Sequence, residues 1–334
     1  MAGWSGRIIY DAKGDTMSGC TSYYVGIDVG GTSVKMGLFA EGGELLGKAS
    51  VLTPPLTDEA GFNAVTAGID QLLSEAALDV ASVAAVGLAV PCPVPASGEI
   101  TLAANITIAP AELKAALEAH CSAAVVRYVN DANAAAMGEL WRGSAQGRTS
   151  MVMVTIGTGL GGGVVVNGDV IDGAFGAGGE IGHMCVNPDE TRTCGCGLKG
   201  CLEQYASASG VVSNYLKACE DHGVEPRELA GSSDSRTVFQ ACREGDAQAL
   251  EAMEVMTDYL ARGLTIISAV VDPEIYILSG GASASSDVFL DTLRAKFAAH
   301  ALKVSAGTPI EVATLGNDAG IIGAAYVALR AAGE

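Results

Sequence analysis

The chain is expected to fold as an α/β protein of two related lobes, and three observations carry that expectation. An apolar run ending in glycines and feeding a second apolar run occurs at YYVGIDVGGTSVKMGLF (residues 23 to 39). It recurs at MVMVTIGTGLGGGVVVNG (151 to 168). Each reads as strand, glycine turn, strand, and the recurrence marks a duplicated architecture. Helical stretches alternate with further apolar strands through the rest of the sequence, the pattern of an α/β protein. The length, 334 residues, corresponds to two domains at about 150 residues each.

Taken in order, residues 1 to 21 hold no apolar core of a secretory signal and read as an extension outside the fold, with Met17 a second candidate start. The first hairpin turns at Gly30, Gly31 and Thr32. Residues 58 to 76 place Phe62, Val65, Ile69, Leu72 and Leu73 on one helical face. VAAVGLAVP (83 to 91) is a buried strand ended by proline; a helix over 110 to 120, the strand VVRYVND and a helix over 132 to 140 follow. After the second hairpin, residues 172 to 203 are irregular and rich in Gly and Cys, long enough to indicate a functional or metal-stapled loop. Leu250, Met253, Leu260, Leu264 and Ile267 keep a helical spacing until Asp272-Pro273 stops it. EIYILSGG is a strand running into glycines, and a small-residue helix starts at Asp318. No low-complexity linker interrupts the chain, so a hinge within one continuous fold is expected.

Charge and cysteine usage narrow the function classes. Nineteen Lys and Arg against 38 Asp and Glu give a net charge of −19, which repels nucleic-acid phosphates and anionic lipid. Backbone N–H groups and a metal ion can still hold the phosphates of ATP on such a protein. No apolar run approaches the ~18 residues of a membrane span. Of nine cysteines, Cys194, Cys196 and Cys201 crowd together, which fits a metal site in a reducing, cytoplasmic compartment better than a disulfide framework. Cys20, Cys92, Cys121, Cys185, Cys219 and Cys242 read as core fillers.

Five segments carry candidate chemistry. In DVGGTSVK, Asp28 suits a magnesium ion held through water, Gly30 and Gly31 offer N–H groups to a phosphate, Thr32 adds a hydroxyl, and Lys35 closes the segment. The same residues also suit a plain glycine hairpin. TIGTGLGGG brings Gly157, Thr158, Gly159 and Gly161 to a second such turn, and two candidate phosphate turns say more than one. Neither is a P-loop, and neither has the GxGxxG–helix context of a dinucleotide fold. In SGGAS, Gly280 and Gly281 permit close approach of a flat base, or else open a helix capped by Ser283 or Ser285. In VNDANAA, spacing alone favours Asp131 as a helix N-cap worth about 1 kcal/mol; the other reading makes Asp131 a general base and Asn130 a hydroxyl anchor. In GEIGHMCVNPDETRTCGCGLKGCLE, His183, Cys194, Cys196 and Cys201 offer one nitrogen and three sulfurs, suited to a closed, structural zinc site. Cys185 is a fifth candidate ligand, and a free-thiol cluster is the alternative. A zinc staple would hold Glu180, His183 and Glu203 where they can bond the hydroxyls of a polyol.

Together these segments resemble the ROK family of sugar kinases, a two-lobed actin-like (ribonuclease-H-like) ATPase fold with its site between the lobes. The most specific piece is CGCGLKGCLE (194 to 203) with GEIGH before it; DVGGTSVK and TIGTGLGGG resemble the family's two phosphate loops, LSGGAS its adenosine-side turn, and GNDAGIIGAA its C-terminal helix. The resemblance implies a first lobe over 22 to 130, a second over 131 to 317, and a helix over 318 to 334 packing back on the first. It implies γ-phosphoryl transfer from ATP with Mg²⁺ to a sugar hydroxyl, with glucose at its 6-hydroxyl the first expectation. Asp131 becomes the general base, Asn105, Asn130, Glu180, His183 and Glu203 become sugar ligands, and His183 also ligates zinc. The resemblance also suggests a homodimer, and the acidic charge and short apolar runs argue against nucleic-acid or membrane partners. Cys92 stands where the family commonly has glycine, and Asn105 is followed by ITIA with no Trp, which bears on which sugar is bound. Kinases for N-acetylglucosamine, N-acetylmannosamine, fructose or allose are the competing readings, followed by a sugar-sensing repressor and a zinc-stapled binding module. The repressor reading wants a DNA-binding domain, for which the ~22 residues before the first strand are too few.

Overall fold

The computed structural model describes residues 22–98, 100, 106–121 and 124–333. The expected extension and Asn105 therefore lie outside the described residues, as does Cys20.

The first sheet is built from β1 (Tyr23–Val29), β2 (Ser33–Ala40), β3 (Leu45–Leu52), β4 (Val83–Val90) and β5 (Val125–Asn130), with α1 (Glu59–Glu75) between β3 and β4 and α2 (Pro110–His120) between β4 and β5. Its strand order is β3-β2-β1-β4-β5. β1 and β2 form the expected antiparallel hairpin, which sets Asp28 directly opposite Lys35, and β4 lies parallel to both β1 and β5. Val65, Ile69, Leu72 and Leu73 of α1 are buried against this sheet with Phe62 at the margin. Asp58 caps that helix by accepting the Gly61 N–H at 3.0 Å.

The chain then enters α3 (Asp131–Arg142) and the second sheet: β6 (Met151–Ile156), β7 (Leu160–Val166) and β8 (Asp169–Val170). A helical stretch follows, α4 (Glu203–Ala206), α5 (Ala208–His222), α6 (Ser235–Arg243) and α7 (Ala247–Val271), before β9 (Ile275–Ser279), α8 (Leu290–His300), β10 (Ile310–Val312) and α9 (Ala319–Ala332). α7 stops where expected, on Asp272 in the left-handed region (φ 48°) ahead of Pro273. The order β10-β9-β6-β7-β8, read in reverse, reproduces the first sheet strand for strand. The directions agree as well: β6–β7 and β7–β8 are antiparallel, β6–β9 and β9–β10 parallel. The duplication inferred from two glycine turns is thus a property of the whole topology.

α9 belongs spatially to the first sheet. It lies so close on β1 and β4 that a Cβ at Gly26 or Gly87 would run into the carbonyls of Ile321 and Ala324. Its other flank crosses α3 just as tightly, where a Cβ at Gly138 would sit 2.5 Å from the Ala319 carbonyl oxygen. α3 and α9 therefore form a backbone-to-backbone joint between the two halves. Among the described residues, no helix is long and apolar enough to cross a membrane.

Candidate functional site between the two sheets

Parallel strands deliver their C-terminal ends to one side of a sheet, the usual ligand side of an α/β fold. Here β5 ends at Asn130 and passes straight into α3. Asn130, not Asp131, is the N-cap: its Oδ1 accepts the N–H groups of Ala132 (3.0 Å) and Asn133 (3.2 Å), and its Nδ2 donates to the Cys92 carbonyl (3.1 Å). This corrects the cap reading drawn from spacing, and it relieves Asp131 of that task. Asp131 accepts one N–H, from Ala132 at 2.8 Å. Its carboxylate is reachable from the cleft yet has protein on most sides. Burial pushes its pKa above the ordinary carboxylate value, the Ala132 N–H pulls it back, and the charges of Asp28 and Glu180 push it up again. Burial likewise raises Asp28, opposed by Lys35 across the hairpin.

Asp131 opens on a cavity of about 510 Å³ that also takes in Asp28, Lys35, Thr155, Gly280, Gly281, Asn317 and Gly320. Residues from five separate segments thus meet in one space. Gly280 enters it at φ 86° with Ile156 so close that a Cβ would sit 2.5 Å from its carbonyl oxygen, so glycine is required there. The segment after it, Gly281–Val288, is a 3-10 turn. Neither Ser283 nor Ser285 caps it, since Ser283 Oγ instead donates back to the Gly280 carbonyl at 2.7 Å.

The two glycine turns differ from expectation in detail. The Gly30 N–H is already bonded to the Ser33 carbonyl (3.0 Å), and its own carbonyl accepts Thr53 Oγ1 (2.6 Å), so Gly31 and Thr32 are the exposed part of the first turn. In the second, the Gly157 N–H closes on the Gly159 carbonyl at 3.0 Å. Gly161 is no longer in the turn but pairs with Thr155 in the β6–β7 ladder. Gly157 and Thr158 border a second cavity of about 320 Å³ with Gly281, Ala282 and the loop from Ala230 to Arg236. That loop escaped the sequence reading, because nothing but its Gly and Ser content set it apart. Asp234 shapes it, accepting the Ala230 N–H (3.0 Å) and the Thr237 hydroxyl (2.7 Å).

In the long loop after β8, His183, Cys194, Cys196 and Cys201 place one ligand atom each within 4.8 Å of all the others. Cys196 Sγ lies 3.7 Å from Cys201 Sγ, and Cys194 Sγ lies 3.8 Å from His183 Nδ1. Bonds of about 2.3 Å to sulfur and about 2.0 Å to nitrogen set tetrahedral ligand atoms about 3.5–3.8 Å apart, so the set fits zinc. Without a cation, burial pushes the Cys194 and Cys201 thiols up, Cys201 to about 12, while the Leu198 N–H holds Cys196 down. Cys185 is not part of the group; it is exposed, against the core-filler reading, and pairs with Cys201 through an isolated β-bridge. The other cysteines in the described residues outside the cluster, Cys92, Cys121, Cys219 and Cys242, are buried as expected.

The loop around this cluster presents the expected polar side chains. His183 turns Nδ1 to the sulfurs and Nε2 toward Glu180 Oε2, 3.9 Å away. Glu203 joins two parts of the site: Oε2 accepts the Leu160 N–H (2.8 Å) at the end of the second glycine turn, and Oε1 lies 3.5 Å from Cys194 Sγ. Gly159 makes room for it, since a Cβ there would collide with that carboxylate. The outer half of the loop is pinned separately, with Tyr205 donating to Glu190, accepting from Asn187 (2.9 Å) and stacking on Tyr259 at 3.8 Å. Sequence reading also missed the Asn133–Asp172 bond (2.9 Å), which ties α3 to the start of this loop.

The duplicated sheets, the joint at α3 and α9, and the cavity between them define a two-lobed actin-like ATPase fold. The family model described as the ROK family matches residues 24–331, and the chain belongs to that family. A relative named glucokinase from Halalkalibacterium halodurans is 35% identical over 315 residues, covering 91% of this chain and 94% of that protein. Among solved structures, a ROK hexokinase from Thermus thermophilus superimposes with a TM-score of 0.76 at 31% identity, covering 93% of this chain and 100% of that one. A ROK-family glucokinase from Streptomyces griseus, solved with glucose and AMPPNP, gives a TM-score of 0.67 at 30% identity, covering 92% and 100%.

Proposed function

We propose that this protein is an ATP-dependent hexose kinase that transfers the γ-phosphoryl group of ATP to the 6-hydroxyl of glucose. The observation that carries the reading is the shared cavity, in which the Asp131 carboxylate opens on the same space as Asp28, Lys35 and the Gly280–Gly281 turn. A carboxylate whose proton affinity is raised by burial is a better general base than a fully solvated one.

In the step itself, the sugar hydroxyl oxygen attacks the γ-phosphorus as its proton passes to Asp131. The bond from phosphorus to the bridging oxygen breaks, and its electron pair leaves with ADP. Lys35 and the N–H groups of the exposed turns offset charge on the transferring group, so the protein contributes mainly position and electrostatics. Magnesium, when bound, neutralises phosphate charge. Asp28 offers it a hard oxygen, and the space beside that carboxylate is kept open by Gly320, where a Cβ would lie 2.9 Å from Asp28 Cγ. Asn130, Glu180, His183 through Nε2, and Glu203 are the hydroxyl partners of the sugar on this reading, with Asn105 as a fifth. Zinc on His183, Cys194, Cys196 and Cys201 would supply a closed structural staple. A cytoplasmic homodimer completes the proposal.

The test is a coupled ADP-release assay with Mg-ATP on glucose, N-acetylglucosamine, N-acetylmannosamine, mannose, fructose and allose. Turnover strongest on glucose and lost in Asp131→Ala is the expected result. Turnover strongest on another sugar would reassign the substrate, and folded, zinc-loaded protein inactive on the whole panel would overturn the kinase reading.

A further inference from the structure

Glu139 is a carboxylate in the interior, fully buried on α3 two turns beyond Asp131. It is nonetheless well partnered. Oε1 accepts the N–H groups of Thr314 (3.0 Å) and Leu315 (2.9 Å), and Oε2 accepts the Ser144 N–H (2.8 Å) with Thr314 Oγ1 at 3.5 Å. Gly143 leaves room for it, since a Cβ there would collide with the carboxylate. Burying a carboxylate is costly even when it is hydrogen-bonded, and an apolar side chain would fill the space without that cost. What the carboxylate adds is a fixed position for the backbone it grips.

That backbone leads directly to the cavity. Thr314 and Leu315 are followed by Gly316, Asn317, Ala319 and Gly320, all of which line the space that Asp131 faces. The same segment is steadied from the first sheet, where Lys35 Nζ lies 3.5 Å from the Asn317 carbonyl and Lys48 pairs with Asp318 at 2.9 Å. Asp131 and Glu139 are eight residues apart on one helix, about 12 Å along a rigid rod.

We infer that Glu139 is a positioning residue for the phosphoryl donor: it fixes the 314–317 wall of the nucleotide cavity in register with Asp131. This rests on the kinase reading above. Three of the sugar partners, Glu180, His183 and Glu203, hang on a different segment, and Asn130 caps the far end of α3 from Glu139, so the effect of Glu139 falls on the nucleotide side.

Glu139→Gln tests this, because it keeps the volume but turns an NH₂ group toward N–H donors. MgADP and glucose affinities are measured by titration calorimetry on the full chain, with KM for ATP and the pH profile of kcat alongside. MgADP binding is expected to weaken about tenfold (~1.4 kcal/mol), with KM for ATP rising in parallel. Glucose affinity should stay within twofold and the pH profile should not move. Glu139→Asp, which keeps the charge, should recover part of the loss. Nucleotide affinity within twofold of wild type overturns the inference, as does an equal loss for nucleotide and glucose. If Glu139→Gln does not fold, hydrogen exchange on the wild type decides instead: MgADP should protect the Thr314 and Leu315 amides and glucose should not, and indifference to MgADP overturns it. Failure of the kinase reading shows separately, as wild-type protein that phosphorylates no sugar.

Discussion

Gly138→Ala puts the joint between the halves to a quantitative test. The added methyl would lie 2.5 Å from the Ala319 carbonyl oxygen and 3.2 Å from the Gly323 nitrogen, whereas ordinary contact begins near 3.4 Å. Both neighbours are backbone atoms, so no rotamer change relieves the overlap; α9 must retreat by roughly 0.9 Å, the shortfall to ordinary contact. Overpacking of this kind costs about 1–3 kcal/mol. Alanine recovers about 1 kcal/mol by helix propensity. The net loss is then about 0–2 kcal/mol, or a fall in Tm of up to about 8 °C at ~2–4 °C per kcal/mol. The retreat also carries Gly320 away from Asp28, while Asp131 sits at the start of the same α3, so kcat should fall with an unchanged pH profile. Thermal melts and steady-state kinetics on the purified variant read both effects. A Tm above wild type would mean that propensity outweighs the clash and that α3 and α9 are not in backbone contact.

Other outcomes can be checked on the same protein. Asp131→Asn should lower kcat by about 10²–10⁴-fold, the usual contribution of a general base, and calorimetry should find glucose binding retained. The same variant should be more stable than wild type near neutral pH. The folded carboxyl holds its proton more tightly than the unfolded value of 3.8, so the stability of this group is fully present below that value and is lost as pH rises through the folded pKa. Melts compared at about pH 4 and about pH 7 should show the gain only at the higher pH. For wild type, kcat/KM should drop on the acid side at a pH above the ordinary aspartate value, which a pH–rate profile records. Cys201→Ser should cut bound zinc, measured by elemental analysis, and raise KM for the sugar more than KM for ATP, because His183 loses its anchor.

The sheets and most helices were legible because each depends on local pattern. The apolar runs at β1 and β6, the helical spacing over 58 to 76 and the Asp272-Pro273 stop all act within a few residues of where they are read. The His183 and cysteine cluster was legible for a related reason, since Cys194, Cys196 and Cys201 are neighbours in sequence before they are neighbours in space. What escaped is long-range. Whether Asn130 or Asp131 caps α3 turns on the Cys92 carbonyl, 38 residues away. Glu139 reads in sequence as one charge in an alanine-rich helix, and its partners at Thr314 and Leu315 lie beyond an entire sheet. A run of glycines does not say where pairing with Thr155 resumes, so in sequence Gly161 is indistinguishable from the turn. The segment at 230 to 236 has polar composition and nothing more, so only the folded chain sets it beside Gly157.

His183 has only two ring nitrogens, and they face different clients: Nδ1 the sulfurs, Nε2 the side where Glu180 lies. On the proposed reading, the metal's hold on Nδ1 fixes the tautomer and orientation that Nε2 presents to the sugar. Such an arrangement is thermodynamically reciprocal: whatever factor zinc adds to sugar affinity, sugar must add to zinc affinity. A protein of this design would keep its metal most firmly when its substrate is plentiful and surrender it most readily to a chelator when starved, so the nutrient itself would guard the staple.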